Sequence, residues 1–145
     1  MILSILDIKK INSSIKKINS SIKKIILSYI AITILAIVFD RIYALFSHDV
    51  SSIYMNFMFL YPLLCGAIYY LILGLSLSKF NYKKFRFAFN IYNSGISIIT
   101  VGSLLHGILE IAGTSSPYIS WYSIVGLIFI LLGLLMTLFN IALKN

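Results

Sequence analysis

The fold is decided by residues 119–143, ISWYSIVGLIFILLGLLMTLFNIAL, which contain no charged side chain in 25 positions. A helix of about 20 apolar residues is long enough to cross the hydrocarbon core of a bilayer. Three more apolar segments of this kind lie at about 25–46, 54–78 and 88–112. The chain is 60% hydrophobic and 11% charged, whereas soluble domains carry about a quarter charged residues. The sequence therefore predicts an integral membrane protein with four spans.

The links between the spans are short, as in GTSSPY at residues 113–118. Short links make consecutive spans antiparallel neighbours. We therefore expect an all-α fold, an up-down four-transmembrane-helix bundle with an amphipathic N-terminal helix. The chain divides into a basic N-terminal arm, residues 1–24, and a transmembrane domain, residues 25–145.

The net charge of +8 is distributed unevenly along the chain. If the N-terminus is cytoplasmic, 11 of the 12 Lys and Arg residues lie on the inner side, and only Arg41 lies on the outer side. Cytoplasmic loops are enriched in Lys and Arg, so both termini are predicted to be cytoplasmic. These basic residues favour membrane lipid as a partner, through acidic headgroups, and no nucleic-acid partner is expected.

The basic arm repeats the unit IKKINSS between residues 8 and 25. At 100° per residue its isoleucines form one narrow stripe, with the lysine pairs on the other side. Three interpretations stay open for this arm: an amphipathic helix on the inner membrane surface, a short coiled coil, and a low-complexity expansion without a dedicated role.

Ionisable side chains inside a span are unfavourable in hydrocarbon, so each one indicates a specific role. The first span reaches Asp40 and Arg41 about 20 Å after its start, and the third span reaches His106 and Glu110 in its last two turns. Both spans run outward, so the four residues are expected at one depth. Asn56, near the start of the second span, is expected there too.

Glu110 needs a counter-charge or a bound proton in that setting, and Arg41 is the expected partner. Asp40 lies 100° from Arg41 around the helix and is expected to face His106 or water. The cluster then forms a ligand, proton or ion site, or its polar contacts serve only to hold the helices together. An enzyme is not expected, because the sequence has no nucleophile elbow, HExxH motif or phosphate loop. No metal and no cofactor are predicted, since the HxxxE spacing is not diagnostic.

The outer links supply a second set of polar candidates for this site. These secondary candidates are His48, Asp49, Thr114, Ser115 and Ser116. Gly113 is expected to end the third span with a positive φ. The hydroxyl groups after it are expected either to cap helix ends or to cradle a polar ligand.

Small and polar residues also follow a pattern within the spans. Helix-packing glycines recur at seven-residue spacing in the third and fourth spans, at Gly95, Gly102, Gly126 and Gly133. Small residues let helices approach closely, so these two spans are predicted to pack together. Pro62 predicts a kink in the second span and a free carbonyl at Met58. One face of the third span, toward its cytoplasmic end, carries Asn90, Asn93, Ser94 and Ser97.

Three segments, DRIYALFSHDVSSIYMNFMFLYPLL at 40–64, FNIYNSGI at 89–96 and HGILEIAGTSSPY at 106–118, carry a resemblance. In these segments the chain resembles short four-span bacterial membrane proteins that have no assigned activity. The resemblance implies a bacterial cytoplasmic membrane and supplies no mechanism.

Two functional hypotheses follow. The first is a small membrane protein, a homo-oligomer or the companion of another membrane protein, whose outward-facing cluster binds or passes a small solute, proton or ion. The alternative is a non-catalytic accessory subunit in which the cluster holds helices together.

Overall fold

The computed structural model describes residues 20–47, 50–76 and 82–142. His48, Asp49 and residues 1–19 of the basic arm lie outside the described residues. The described part of the chain forms helices and no strand. The six helical elements are α1 (Ser20–Phe46), α2 (Ile53–Phe57), α3 (Tyr61–Ile68), α4 (Tyr69–Ser76), α5 (Tyr82–Ile111) and α6 (Ile119–Ala142), of which α3 is a π-helix.

Four segments are long and apolar enough to cross a membrane. They are Ser20–Phe46, Ile53–Leu75, Phe85–Ile111 and Ile119–Ala142, so that α2, α3 and α4 together make the second span. Their side-chain clusters show that consecutive spans run antiparallel: the start of α1 packs beside α4, and its later part packs beside α2. The predicted all-α fold with four spans is confirmed.

One face of α1 is buried along most of its length. Ile22, Tyr29 and Ala36 lie on this face at seven-residue intervals, and Ile22 is only 1% exposed. The described part of this helix extends back to Ser20, five residues before the predicted start of the first span. Ile22 belongs to the IKKINSS repeat, but it is in phase with Tyr29 and Ala36 and therefore packs in the bundle core instead of on a membrane surface.

The second span changes helical form around Pro62, which has no N–H to donate. The Tyr61 N–H donates to the Met58 carbonyl at 3.4 Å, so the prediction of a free acceptor at Met58 is wrong. A tighter turn satisfies this carbonyl just before the proline. The π-helix α3 then starts at Tyr61 and continues to Ile68.

The wider turn of α3 makes a backbone carbonyl available to another span. The Tyr69 N–H donates to the carbonyls of Leu64 and Gly66 and passes over that of Cys65. The Cys65 carbonyl accepts a hydrogen bond from the Tyr92 hydroxyl of α5 at 2.6 Å. A local irregularity of the second span is thus tied to the third span, as expected at membrane depth, where polar backbone groups need partners within the protein.

The last two spans pack closely against each other, in places backbone to backbone. A Cβ atom added to Gly95 would lie 2.7 Å from the Gly126 carbonyl oxygen, and one added to Gly133 would lie 2.7 Å from the Tyr92 backbone nitrogen. Gly102 lies against the Tyr122 side chain. All four glycines singled out in the sequence therefore lie in the α5–α6 contact, where backbone meets backbone. This contact is also the main attachment of α6 to the rest of the bundle.

Candidate functional site

The third span ends in a Schellman motif directly after Glu110. Gly113 has a φ of 68°, as predicted, and its N–H donates to the Glu110 carbonyl at 3.1 Å. The Thr114 N–H donates to the Leu109 carbonyl at 2.9 Å, which completes the motif. The chain therefore reverses within a few residues of Glu110, and the link to α6 lies beside its side chain.

Glu110 is held by a serine of the second span. Ser52 occupies the N-cap position of α2, yet its side chain makes no capping bond. Its hydroxyl instead donates to the Oε2 atom of Glu110. Ser52 is 1% exposed, whereas Glu110 is exposed, so a buried donor orients a carboxylate that stays accessible.

His106 stacks on an aromatic residue of the same second-span segment. The ring centroids of His106 and Tyr54 are 3.6 Å apart and their planes differ by 11°. The Ser103 hydroxyl, one turn below His106, donates to the Tyr54 carbonyl at 2.7 Å. Tyr54 is therefore positioned through both its ring and its backbone by α5.

These residues border an open cavity of about 330 Å³. It lies where the start of the second span, the end of α5 and the start of α6 meet, at one end of the bundle. Its lining consists of Tyr54, His106, Leu109, Glu110, Thr114, Ser115, Ser116, Ile119 and Ser120. We call this feature the end cavity. A carboxylate, an imidazole and five hydroxyl-bearing side chains line it, so it can offer hydrogen bonds of both polarities and a negative charge.

The predicted Arg41–Glu110 ion pair is wrong for the described structure. The Nε atom of Arg41 lies 3.7 Å from Oδ2 of Asp40, and the Arg41 side chain is 79% exposed. The Asp40 side chain is 11% exposed, so it faces inward while its sequence neighbour faces outward. Residues one position apart point about 100° apart on a helix, and the buried face of α1 runs through Asp40. Asp40 was predicted to face His106 or water, and the His106 ring stacks on Tyr54.

The other sequence-predicted residues divide into four groups. Thr114, Ser115 and Ser116 line the end cavity, and the Thr114 hydroxyl is also 3.4 Å from the Leu109 carbonyl, as expected of a capping residue. Asn56 lies nearby on α2 but is exposed and does not line the cavity. His48 and Asp49 lie outside the described residues. Asp40 and Arg41 lie at this end of the bundle but outside the cavity lining.

Sequence reasoning missed Ser52, Tyr54 and Ser120. Tyr54 is the first residue of the predicted second span, and Ser52 lies in the link before it. One signal was present for Ser52, because a serine directly before an apolar helical run is typical of an N-cap and is therefore held at a defined position. Whether the Ser52 hydroxyl bonds to Glu110 or to the backbone depends on how the second and third spans pack together.

A separate polar cluster lies toward the opposite end of the bundle. The Oδ1 atom of Asn93 accepts hydrogen bonds from the hydroxyls of Tyr29, at 2.8 Å, and Tyr70, at 2.7 Å. These three residues come from the first, second and third spans. They are surrounded by aromatic rings, including Phe89, which is fully buried. This cluster is part-buried and joins three spans through hydrogen bonds, whereas the end cavity is open.

Within the described residues, no three His, Cys, Asp or Glu side chains lie close enough to hold a metal ion. No protein-family model, curated protein or solved structure matches the chain. The resemblance to short bacterial four-span proteins therefore stays a prediction. Fold and site together define a multi-pass membrane protein with an open polar cavity at one end of its bundle.

Proposed function

We propose that the chain is a small polytopic membrane protein that binds a small cationic solute or ion in the end cavity and passes it toward or across the membrane. The observation that carries the proposal is the accessible Glu110 carboxylate, which is oriented by Ser52 and faces a cavity of about 330 Å³. That volume is at the lower end of the range for small-molecule sites, so the proposed ligand is small.

The charge of the cavity favours a cation. Among the described residues that line the cavity, Glu110 is the one acidic residue, and none is Lys or Arg. Arg41, the basic residue expected to neutralise Glu110, interacts with Asp40 instead. A carboxylate without a basic partner attracts cations, and the nearby Tyr54 ring offers a second favourable surface for an ammonium group.

The same proposal places the cavity on the outer side of a bacterial cytoplasmic membrane. The support is the distribution of basic residues, because 11 of 12 lie in segments that would be cytoplasmic if both termini are inside. Loading from the outside would then be direct, since the cavity is open. No enzymatic step is part of this proposal.

An accessory role is the second candidate. It is favoured by the bonding pattern at this end, because Ser52–Glu110, Tyr54–His106 and Ser103–Tyr54 all join the second span to the third. Repeated polar contacts of this kind hold transmembrane helices together. The chain would then function as a non-catalytic subunit bound to another membrane protein.

Calorimetric titration of the purified, detergent-solubilised protein distinguishes the two. Tetramethylammonium and potassium, each as the chloride, are the probes. Binding of one of them to the wild type is expected, and Glu110→Gln is expected to weaken it by about tenfold or more, because hydrogen bonds and contacts to a charged group contribute about 1.5–3 kcal/mol. The flux of the bound cation into proteoliposomes tests the transport step.

Arg41→Gln is the matched control, since it changes a charge at the same end of the bundle without touching the cavity lining. It should leave the affinity nearly unchanged. Far-UV circular dichroism and gel filtration verify that both variants fold. If neither cation binds and the protein purifies in mild detergent with a stoichiometric companion, the accessory role is correct and the cavity proposal fails.

A further inference from the structure

The third span exposes a polar face in its first half, which is unusual for a helix inside a bilayer. Asn90, Ser94 and Ser97 are exposed, and Asn93 is half-buried beside them. They border an open groove of about 620 Å³ that is lined by α5 alone, from Asn90 to Ile98. A polar side chain facing hydrocarbon is unfavourable unless it finds a partner, so this face differs from an ordinary lipid-facing surface.

Bonds within α5 satisfy the hydroxyl groups of this face but not its amides. Ser94 donates to the Asn90 carbonyl at 2.9 Å, and Ser97 donates to the Asn93 carbonyl at 3.0 Å. The side-chain amide of Asn90 has no hydrogen-bond partner within residues 20–47, 50–76 and 82–142. The amide nitrogen of Asn93 has none there either, because its two bonds both go to Oδ1. Two amide groups are therefore available to an external partner.

The spacing of the face suits another helix. Asn90, Ser94, Ser97 and Val101 follow each other at intervals of four, three and four residues, and Val101 is exposed as well. These intervals describe the seam of a helix pair that packs with a 3.5-residue period. Small serines permit a close approach, and a single asparagine in such a seam specifies register. We call these four residues the α5 seam.

We propose that the α5 seam is the contact between two copies of this chain. A carboxamide both donates and accepts, so it complements another carboxamide at the same position. Two copies inserted in the same membrane have the same orientation, and their α5 helices run parallel about a two-fold axis along the membrane normal. Asn90 of each copy then meets Asn90 of the other at the same depth.

The rest of the lipid-facing surface supports the choice of this face. The exposed side of α6 carries large apolar residues, among them Leu127, Leu131 and Leu135. Such a surface is solvated well by lipid tails and gives little driving force for association. The α5 seam combines small residues, the unsatisfied amide of Asn90 and heptad spacing, and it faces away from the end cavity lining. The proposal is therefore independent of what the cavity binds.

Cysteine cross-linking in liposomes tests the contact. The chain has one cysteine, so Cys65→Ala gives a background in which Ser94→Cys is the single thiol. Purified protein is reconstituted at high lipid excess and oxidised, and covalent dimers are measured on non-reducing gels. Ser94→Cys should form the dimer readily, because the two serines face each other across the seam.

Leu131→Cys in the same background is the depth-matched control. Its neighbour Ile130 contacts Gly95, so it lies at the level of Ser94, but on the exposed side of α6. It should give only collisional background. Adding Asn90→Leu to the Ser94→Cys protein should weaken dimerisation by about threefold to fifteenfold, the range of interhelical hydrogen bonds in membranes.

The proposal is overturned if Ser94→Cys cross-links no more than Leu131→Cys while both proteins remain helical and monodisperse. It is also overturned if Asn90→Leu leaves the dimer fraction unchanged. Either result would mean that the seam contacts lipid or a different membrane protein.

Discussion

Asn93 is the residue at which three spans meet through hydrogen bonds. Its Oδ1 atom accepts from Tyr29 and Tyr70, so one amide oxygen holds the first and second spans to the third. An individual interhelical hydrogen bond in a membrane contributes about 0.6 kcal/mol, because the separated helices also find partners. Removing the shared acceptor is different, since it leaves two tyrosine hydroxyls in need of new partners.

We therefore expect Asn93→Leu to destabilise the bundle more than Tyr29→Phe. The tyrosine variant loses one hydrogen bond, about 0.6 kcal/mol, whereas the asparagine variant disrupts two, about 1–3 kcal/mol in all. SDS-driven unfolding from a mild detergent, followed by circular dichroism, measures both. Tyr118→Phe, at an exposed residue of the last link, is the matched control and should have no effect. Equal losses for Asn93→Leu and Tyr29→Phe would contradict a shared acceptor.

The depth of the ionisable side chains in the bundle was predictable from the sequence, and their pairing was not. The constant rise of a helix brought Asp40, Arg41, His106 and Glu110 to the same end of the bundle. Partner choice depends on the direction of each side chain around its helix axis. Because Asp40 faces the interior of the bundle, the neighbouring Arg41 faces outward and does not pair with Glu110. Glu110 accepts a hydrogen bond from Ser52 instead. These directions are set by the packing of whole spans, which local spacing does not determine.

The α5–α6 pair is an element whose stability depends on the absence of side chains. A methyl group at Gly95 would approach the Gly126 carbonyl oxygen and the Ile130 backbone nitrogen to 2.7 Å, and backbone atoms cannot rotate away as a flexible side chain can. We expect Gly95→Ala to force the helices apart and to destabilise the protein by about 1–3 kcal/mol, as overpacking does. The SDS unfolding midpoint measures the loss.

Ser123→Ala provides the control for that substitution, because Ser123 is an exposed residue of the same helix pair. It also introduces an alanine into a span, but without a backbone collision, and its midpoint should match the wild type. A Gly95→Ala protein as stable as the wild type would mean that the two helices can move apart without loss of stability. The glycine spacing would then have no role in packing.

The second span shows which features of a helix can be predicted from the sequence. Pro62 predicted an interruption, and helical form does change there. The eight-residue π-helix was not predicted, because its wider turn is stabilised from outside, through the Tyr92 hydroxyl on the Cys65 carbonyl. The four apolar spans and the glycine spacing are local patterns, so they could be predicted from the sequence. A hydrogen bond between two residues that are 27 positions apart in the sequence is not a local pattern.

Across the whole molecule, the fourth span is attached almost entirely through the third. The second span and α6 leave between them an apolar groove of about 310 Å³, bordered by Tyr69 and Leu134 among others. The bundle is therefore open on this side, and α5 is its central helix: it contacts the second span, α6 and, in the further proposal, a second copy. Changes in α5 are expected to affect both the end cavity and the assembly.

The orientation of the whole molecule decides which side of the membrane loads the end cavity. With Cys65→Ala as background, Ser115→Cys lies in the cavity lining, and Asn145→Cys lies at the C-terminal residue. The segments holding 11 of 12 basic residues are hard to translocate, so both termini should remain inside. A membrane-impermeant maleimide added to intact bacterial cells should therefore label Ser115→Cys at once and Asn145→Cys only after permeabilisation. Labelling in the reverse order would place Glu110 on the cytoplasmic side, where the cavity would receive its cation from the cell interior.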